Sequence, residues 1–179
     1  MEITGATLLS KEEYEASKDN IPPFDNWWWL RSPSIYDKYY NQAVCVDGDY
    51  GNLIDSGENV ALGEIGVRPA LCISNLSSSN LQIGDKFEFG DRNFTIISDK
   101  YALCDESIGE CVFRMDWTAE DANDYEASDV KKYIDDWFIR MKDIPIYVYG
   151  EVNCEFNVDK FTWGYNLKKI EEQKEDKEL

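Results

Sequence analysis

The run Trp27-Trp28-Trp29-Leu30-Arg31-Ser32-Pro33 constrains this chain more than any other stretch. Three adjacent indoles and a leucine carry too much apolar surface to stay in water. Pro22-Pro23 before them and Pro33 after them leave too few residues for a helix. A short, buried strand is the expected outcome. Core packing is the first reading of these indoles, and a platform for stacking carbohydrate rings is the second.

Upstream, residues 3–9 are apolar enough for a strand, and Ser10-Lys11-Glu12-Glu13 has the spacing of a capping box, in which Ser10 caps a short helix and Glu13 reaches back. Residues 34–66 change to Tyr, Asp, Asn and Gly with short apolar pairs such as Val44 and Val46. They predict hairpins turning at Asp47-Gly48 and at Ser56-Gly57. Residues 66–73 read as a closing strand in which Pro69 forces an edge position or a bulge. Residues 76–80 continue a Ser- and Asn-rich stretch that reads as a linker, so a first segment, 1–75, is set apart from a second, 81–165.

The second segment opens with alternating apolar residues around Gly90-Asp91, which predicts a hairpin, with a third strand over residues 101–104. Ser128 is placed to cap a helix whose Val130, Tyr133, Ile134, Trp137, Phe138 and Met141 recur at helical spacing. Residues 146–149, 154–158 and 161–163 have strand character, and 166–179 read as a charged tail, frayed helix or disorder. The fold class expected is α+β, with short antiparallel strands and two or three helices.

No histidine occurs in the 179 residues. That removes the commonest general base, the Ser-His and Cys-His nucleophiles and most catalytic zinc sites. No carboxylate pair stands out among 36 acids, so no catalytic residue, metal or cofactor is assigned. Five scattered cysteines in a chain of this size read as reduced thiols, with a Cys104 to Cys111 bridge as the less favoured option. The first ten residues lack an export signal and no apolar run reaches bilayer length, so the compartment expected is the cytoplasm.

The net charge of −18 repels nucleic-acid phosphates and attracts basic surfaces. Acids crowd between positions 105 and 136: Asp105, Glu106, Glu110, Asp116, Glu120, Asp121, Asp124, Glu126, Asp129, Asp135 and Asp136, against Arg114, Lys131 and Lys132. Carboxylates at this density can imitate a phosphate line and occupy a basic groove, although a solvated charged face has the same composition. The run 116–129 lacks the glycine and final glutamate of an EF-hand loop.

Trp28-Trp29-Leu30-Arg31-Ser32-Pro33 and Gly66-Val67-Arg68-Pro69-Ala70-Leu71 resemble the two signature hexapeptides of a family of uncharacterised bacterial and phage domains. That family is similar to the C-type-lectin-like fold of formylglycine-generating enzymes and of the variable proteins of diversity-generating retroelements. Leu8-Leu9-Ser10 also matches. The segment 83–90, Trp117 and Ser128-Asp129-Val130-Lys131 resemble the family's other half, in the reverse of its usual order. The resemblance implies a fold that is C-type-lectin-like in part.

Arg31 and Arg68 lie inside apolar strands and need carboxylate or carbonyl partners. They read as structural pins alongside Trp28 and Trp29, with substrate anchoring as the alternative. Tyr36, Tyr39, Tyr40, Asn41, Asp49 and Tyr50 have the Tyr/Asn/Asp mixture of a paratope, and equally that of a solvated loop.

The leading expectation is a non-catalytic phage or prophage accessory protein that inhibits a basic nucleic-acid-handling host protein, of the anti-CRISPR or anti-restriction type. Its partner would be a nuclease or a nuclease–nucleic-acid complex, met through Asp116, Glu120, Asp121, Asp124, Glu126, Asp129, Asp135 and Asp136 by a monomer or homodimer. The alternative is a lectin-like module binding a protein or glycan through the tyrosine loops. An enzyme like the formylglycine-generating relatives would need paired metal-binding cysteines, and no two cysteines here fall in a match to that site.

Overall fold

A computed structural model describes residues 1–36 and 41–144, together with the backbone of the short strand Tyr147–Val148. The expected strands at 154–158 and 161–163 and the tail at 166–179 lie outside the described residues. Over the described residues the fold is α+β, built mostly of antiparallel strands with two α-helices. In chain order the elements are β1 (Glu2–Thr7), α1 (Lys11–Ser17), β2 (Trp28–Pro33), β3 (Gln42–Asp47), β4 (Asn52–Asn59), β5 (Ala70–Ser74), β6 (Lys86–Phe89), β7 (Arg92–Ile96), β8 (Tyr101–Cys104), α2 (Asp129–Met141) and β9 (Tyr147–Val148).

Two sheets form. One has the strand order β1-β5-β8-β7-β6-β9, and the other is the three-stranded meander β2-β3-β4. Strands from both sequence segments share the larger sheet, because β5 pairs with β8 through Ala70↔Leu103, Leu71↔Ala102 and Cys72↔Tyr101. Residues 76–80 lie in the connection between β5 and β6, which begins with a 3-10 turn at Leu76–Ser78.

The indole run becomes β2, and its period-two alternation splits it between two cores. Trp29 faces a cluster with Leu8, Ala43, Val60, Phe113 and Ile134. Trp28 and Leu30 face another with Leu9, Tyr14, Val44, Val46 and Leu103. Trp29 satisfies its buried indole N–H by donating to the Cys111 carbonyl at 2.9 Å. A third core lies on the large sheet, where Phe87, Phe89 and Phe94 pack against Trp137 of α2.

The capping box forms as its spacing predicts: Ser10 accepts from the Glu13 amide, and Glu13 accepts from that of Ser10 at 2.7 Å. Ser128 likewise accepts from the Lys131 amide to start α2, which buries Val130, Ile134 and Trp137. The hairpin at Gly90-Asp91 and the strand over Tyr101–Cys104 are also where the pattern puts them.

Two local expectations are corrected. Ser56-Gly57 is not a turn but lies within β4, where the β3–β4 register shifts and Gly57 takes φ +72°. A Cβ there would stand 2.6 Å from the Ala43 carbonyl oxygen, so the glycine serves a bulge and the close approach of its partner strand. Nor is the strand after Gly66 an edge strand: it begins at Ala70 and lies between β1 and β8. Pro69 sits just before the ladder, where its missing N–H costs nothing, and its carbonyl accepts from Cys104 at 2.9 Å.

Candidate functional site

Between Phe113 and α2 the chain makes a closed excursion over residues 115–128. Its base is tied by main chain, since the amides of Asp129 and Val130 both donate to the Phe113 carbonyl, at 2.9 and 3.3 Å. Side chains add two further ties. The Asp129 carboxylate accepts from the Met115 amide at 2.7 Å, and the Arg114 guanidinium donates to the Ala127 carbonyl. Such a loop, with its ends together and its own residues packed inside, is an Ω-loop.

Ala122 and Tyr125 fill the interior of the loop and are buried in the Trp29 core. The Tyr125 hydroxyl accepts from the Leu8 amide at 3.2 Å, and Asn123 Nδ2 donates to the Gln42 carbonyl at 3.2 Å. The loop is thus seated on the junction of β1 with the three-stranded sheet. Its outer surface carries Asp116, Glu120, Asp121, Asp124 and Glu126, with no Lys or Arg between 115 and 128. Among these acids protrude two large apolar side chains, Met115 at 67% and Trp117 at 48% exposure.

The acids do not all have the same work. Asp116 accepts from the Thr118 hydroxyl at 2.7 Å; hydrogen bonds from that hydroxyl and from the Thr118 amide hold its carboxyl below the ordinary range. Asp124 accepts from the Glu126 amide and starts a 3-10 turn at Tyr125–Ala127. Asp135 pairs with Lys131 at 2.5 Å along α2, and Asp121 stands 3.7 Å from Arg114. Asp105, outside the loop, is neutralised by Lys86 at 2.6 Å. Glu120, Glu126 and Asp136 are exposed.

The tyrosine-rich loops are not brought together. Tyr36 and Asn41 flank the β2–β3 connection at one end of the three-stranded sheet, whereas Asp49 and Tyr50 lie in the β3–β4 turn at the other. The length of β3, about 17 Å, separates them. Tyr39 and Tyr40 lie outside the described residues.

Only Arg31 of the two arginines finds a carboxylate among the described residues. Arg31 donates from Nη1 and Nη2 to the two carboxylate oxygens of Glu13, each at 2.6 Å, and from Nη1 to the Leu8 carbonyl. Arg68 has carbonyl and aromatic partners only: its Nε donates to the Cys104 carbonyl at 2.7 Å, and its guanidinium lies 5.2 and 5.1 Å from the Phe24 and Trp28 ring centroids. A cleft of about 460 Å³ between Arg31 and residues 123–126 adjoins the acidic loop, but Glu13 already neutralises its cation.

Cys45, Cys72, Cys104 and Cys111 are free thiols. Among the described residues, no three His, Cys, Asp or Glu side chains come together to hold a metal ion, and no helix is long and apolar enough to cross a membrane.

Residues 5–75 match the family model of a domain of unknown function, DUF6273. The match spans both hexapeptides and covers less than half of the chain; the acidic loop lies beyond it. No curated protein and no solved structure matches the chain.

Composition identified the acids but not Met115 and Trp117 as an exposed pair. The signal available was their place in a stretch without helical or strand periodicity, where an apolar side chain has no assured core position.

Proposed function

We propose that this chain is a non-catalytic binding protein whose 115–128 loop docks onto a basic surface of a nucleic-acid-handling protein. In this reading it acts in the host cytoplasm as an inhibitor of the anti-CRISPR or anti-restriction type. The observation that carries the reading is the combination on one pinned loop of five carboxylates, no basic residue and two exposed apolar anchors. Acids steer a cationic partner and keep out nucleic acid. Trp and Met are side chains that interfaces favour at their desolvated centre.

The C-type-lectin-like assignment of the first segment belongs to the same proposal. It is supported by the hexapeptides themselves, one forming β2 and the other leading into β5. In this reading that segment is the scaffold and the loop is the contact. The separation of Tyr36 from Tyr50 weighs against a single tyrosine-lined ligand face.

The test is retention of purified host-defence nucleases on the immobilised protein at low and at physiological salt. Retention should weaken as salt rises, and Trp117→Ala or the combined Glu120→Gln, Asp121→Asn, Glu126→Gln variant should remove it. Tyr36→Ala with Tyr50→Ala should leave it intact. The reverse mutational pattern would transfer the function to the tyrosine loops, and no retention at low salt would end the proposal.

A further inference from the structure

The two buried arginines differ in one respect: Arg31 has a carboxylate and Arg68 does not. Arg68 is 1% exposed. Its Nε and Nη2 donate to the carbonyls of Cys104 and Pro22, at 2.7 and 2.8 Å, and among the described residues its Nη1 has no hydrogen-bond partner. No described carboxylate forms an ion pair with it, although the chain holds 36 acids. Burial lowers its pKa to about 10, against weaker opposing contributions from Cys104, Asp105 and Tyr14, so the group is still a cation at neutral pH. A buried guanidinium without a counter-ion works against the fold.

Arg68 also forms part of the wall of a cavity of about 120 Å³, which opens to the surface beside α1. Phe24 and Trp28 supply apolar walls, and Lys18, exposed and in no ion pair among the described residues, lies at its rim. The cavity is built in. Gly48 lets the 24–26 loop lie directly on the β3–β4 turn, where a Cβ would be 2.0 Å from the Asn26 carbonyl oxygen.

We propose that this cavity binds a small organic acid, whose carboxylate is the missing counter-ion of Arg68 and whose short carbon stem lies against the apolar lining that Ile21 and Val46 share with the two rings. The carboxylate accepts from Nη1, and Lys18 supplies a second positive charge at the entrance. The size suits the class: the cavity has the volume of about four waters, slightly less than one that accommodates benzene. Inorganic phosphate carries more charge into a strongly acidic protein and leaves the apolar walls unused. The site lies in the DUF6273-like segment and is independent of the acidic loop.

Titration of the ¹⁵N-labelled protein with isobutyrate at constant ionic strength, observed at the Trp28 indole and Arg68 Nε resonances, tests the inference. Isobutyrate should give saturable shifts, and isobutyramide, its neutral isostere, should bind at least about tenfold more weakly, as loss of a hydrogen bond between charged groups requires. Lys18→Gln removes an exposed group with no structural partner and should weaken isobutyrate several-fold in a fully folded protein. Equal binding of amide and acid, phosphate binding as tightly as isobutyrate, or an unchanged affinity in Lys18→Gln would each overturn the proposal.

Discussion

Arg31 holds both carboxylate oxygens of Glu13 at 2.6 Å, and the Tyr101 hydroxyl donates to the same carboxylate at 2.7 Å. One acid therefore joins α1, β2 and β8, the last of which belongs to the other sheet. Removing its charge leaves a partly buried guanidinium without its counter-ion, a larger penalty than loss of a surface pair. Glu13→Gln should destabilise the fold by about 2 kcal/mol in urea unfolding. A loss below about 0.5 kcal/mol would show the pair to be surface-like.

The same carboxylate sets an acid limit. Burial alone would raise the Glu13 pKa, but hydrogen bonds from Arg31, the Ser10 amide and Tyr101 outweigh it and hold the pKa below its ordinary value of 4.5. A folded pKa below the unfolded one means that the contribution is complete above about pH 4.5 and is lost as pH falls through the lower folded value. The stability difference between wild type and Glu13→Gln should thus be constant from neutral pH to about 5 and shrink below about 4.5. A difference that persists at pH 2 would assign the effect to packing.

Local pattern was informative wherever one short stretch determines the outcome. The Ser10/Glu13 capping box, the Ser128 cap and the Gly90-Asp91 hairpin each depend on residues within a few positions of one another. The β5–β8 pairing joins residues about 30 apart and leaves no trace in either strand alone, so the sharing of one sheet by the two segments could not be read. Gly57 resembled a turn because a bulge and a turn ask for the same positive φ. For the candidate site, composition gave the acids. The closure that turns a run of acids into one surface depends on Phe113, Asp129 and Leu8, which are partners set by tertiary structure.

Thiol reactivity should follow burial. Cys45 and Cys104 are fully enclosed, and burial pushes both up to about 12, while Cys72 and Cys111 are raised by burial but partly accessible. Thiolate is the reactive form, so iodoacetamide at about pH 8 should label Cys72 and Cys111 in the native protein and leave Cys45 and Cys104 unlabelled until denaturant is added. Peptide mapping by mass spectrometry reads this directly. Rapid native labelling of Cys104 would contradict its placement in β8.

Asp129, at the foot of the 115–128 loop, should hold it closed, whereas Glu120 and Asp121 on the loop should not. Asp129 accepts from the Met115 amide at 2.7 Å and stands in the first turn of α2, where a negative charge also meets the helix dipole. Asp129→Ala should cost about 1 kcal/mol and accelerate hydrogen exchange at the Met115 amide. Glu120 is exposed, and Asp121 only approaches Arg114 at 3.7 Å. Glu120→Gln with Asp121→Asn should therefore change stability by less than about 0.5 kcal/mol and leave that exchange rate alone. The contrast matters for function, because a partner-binding loss in the second variant, in a loop that is still closed, can be assigned to charge, whereas the same loss in Asp129→Ala would report loop opening. If both variants accelerate exchange equally, the loop is held by its charge pattern as a whole and the two groups of acids cannot be told apart.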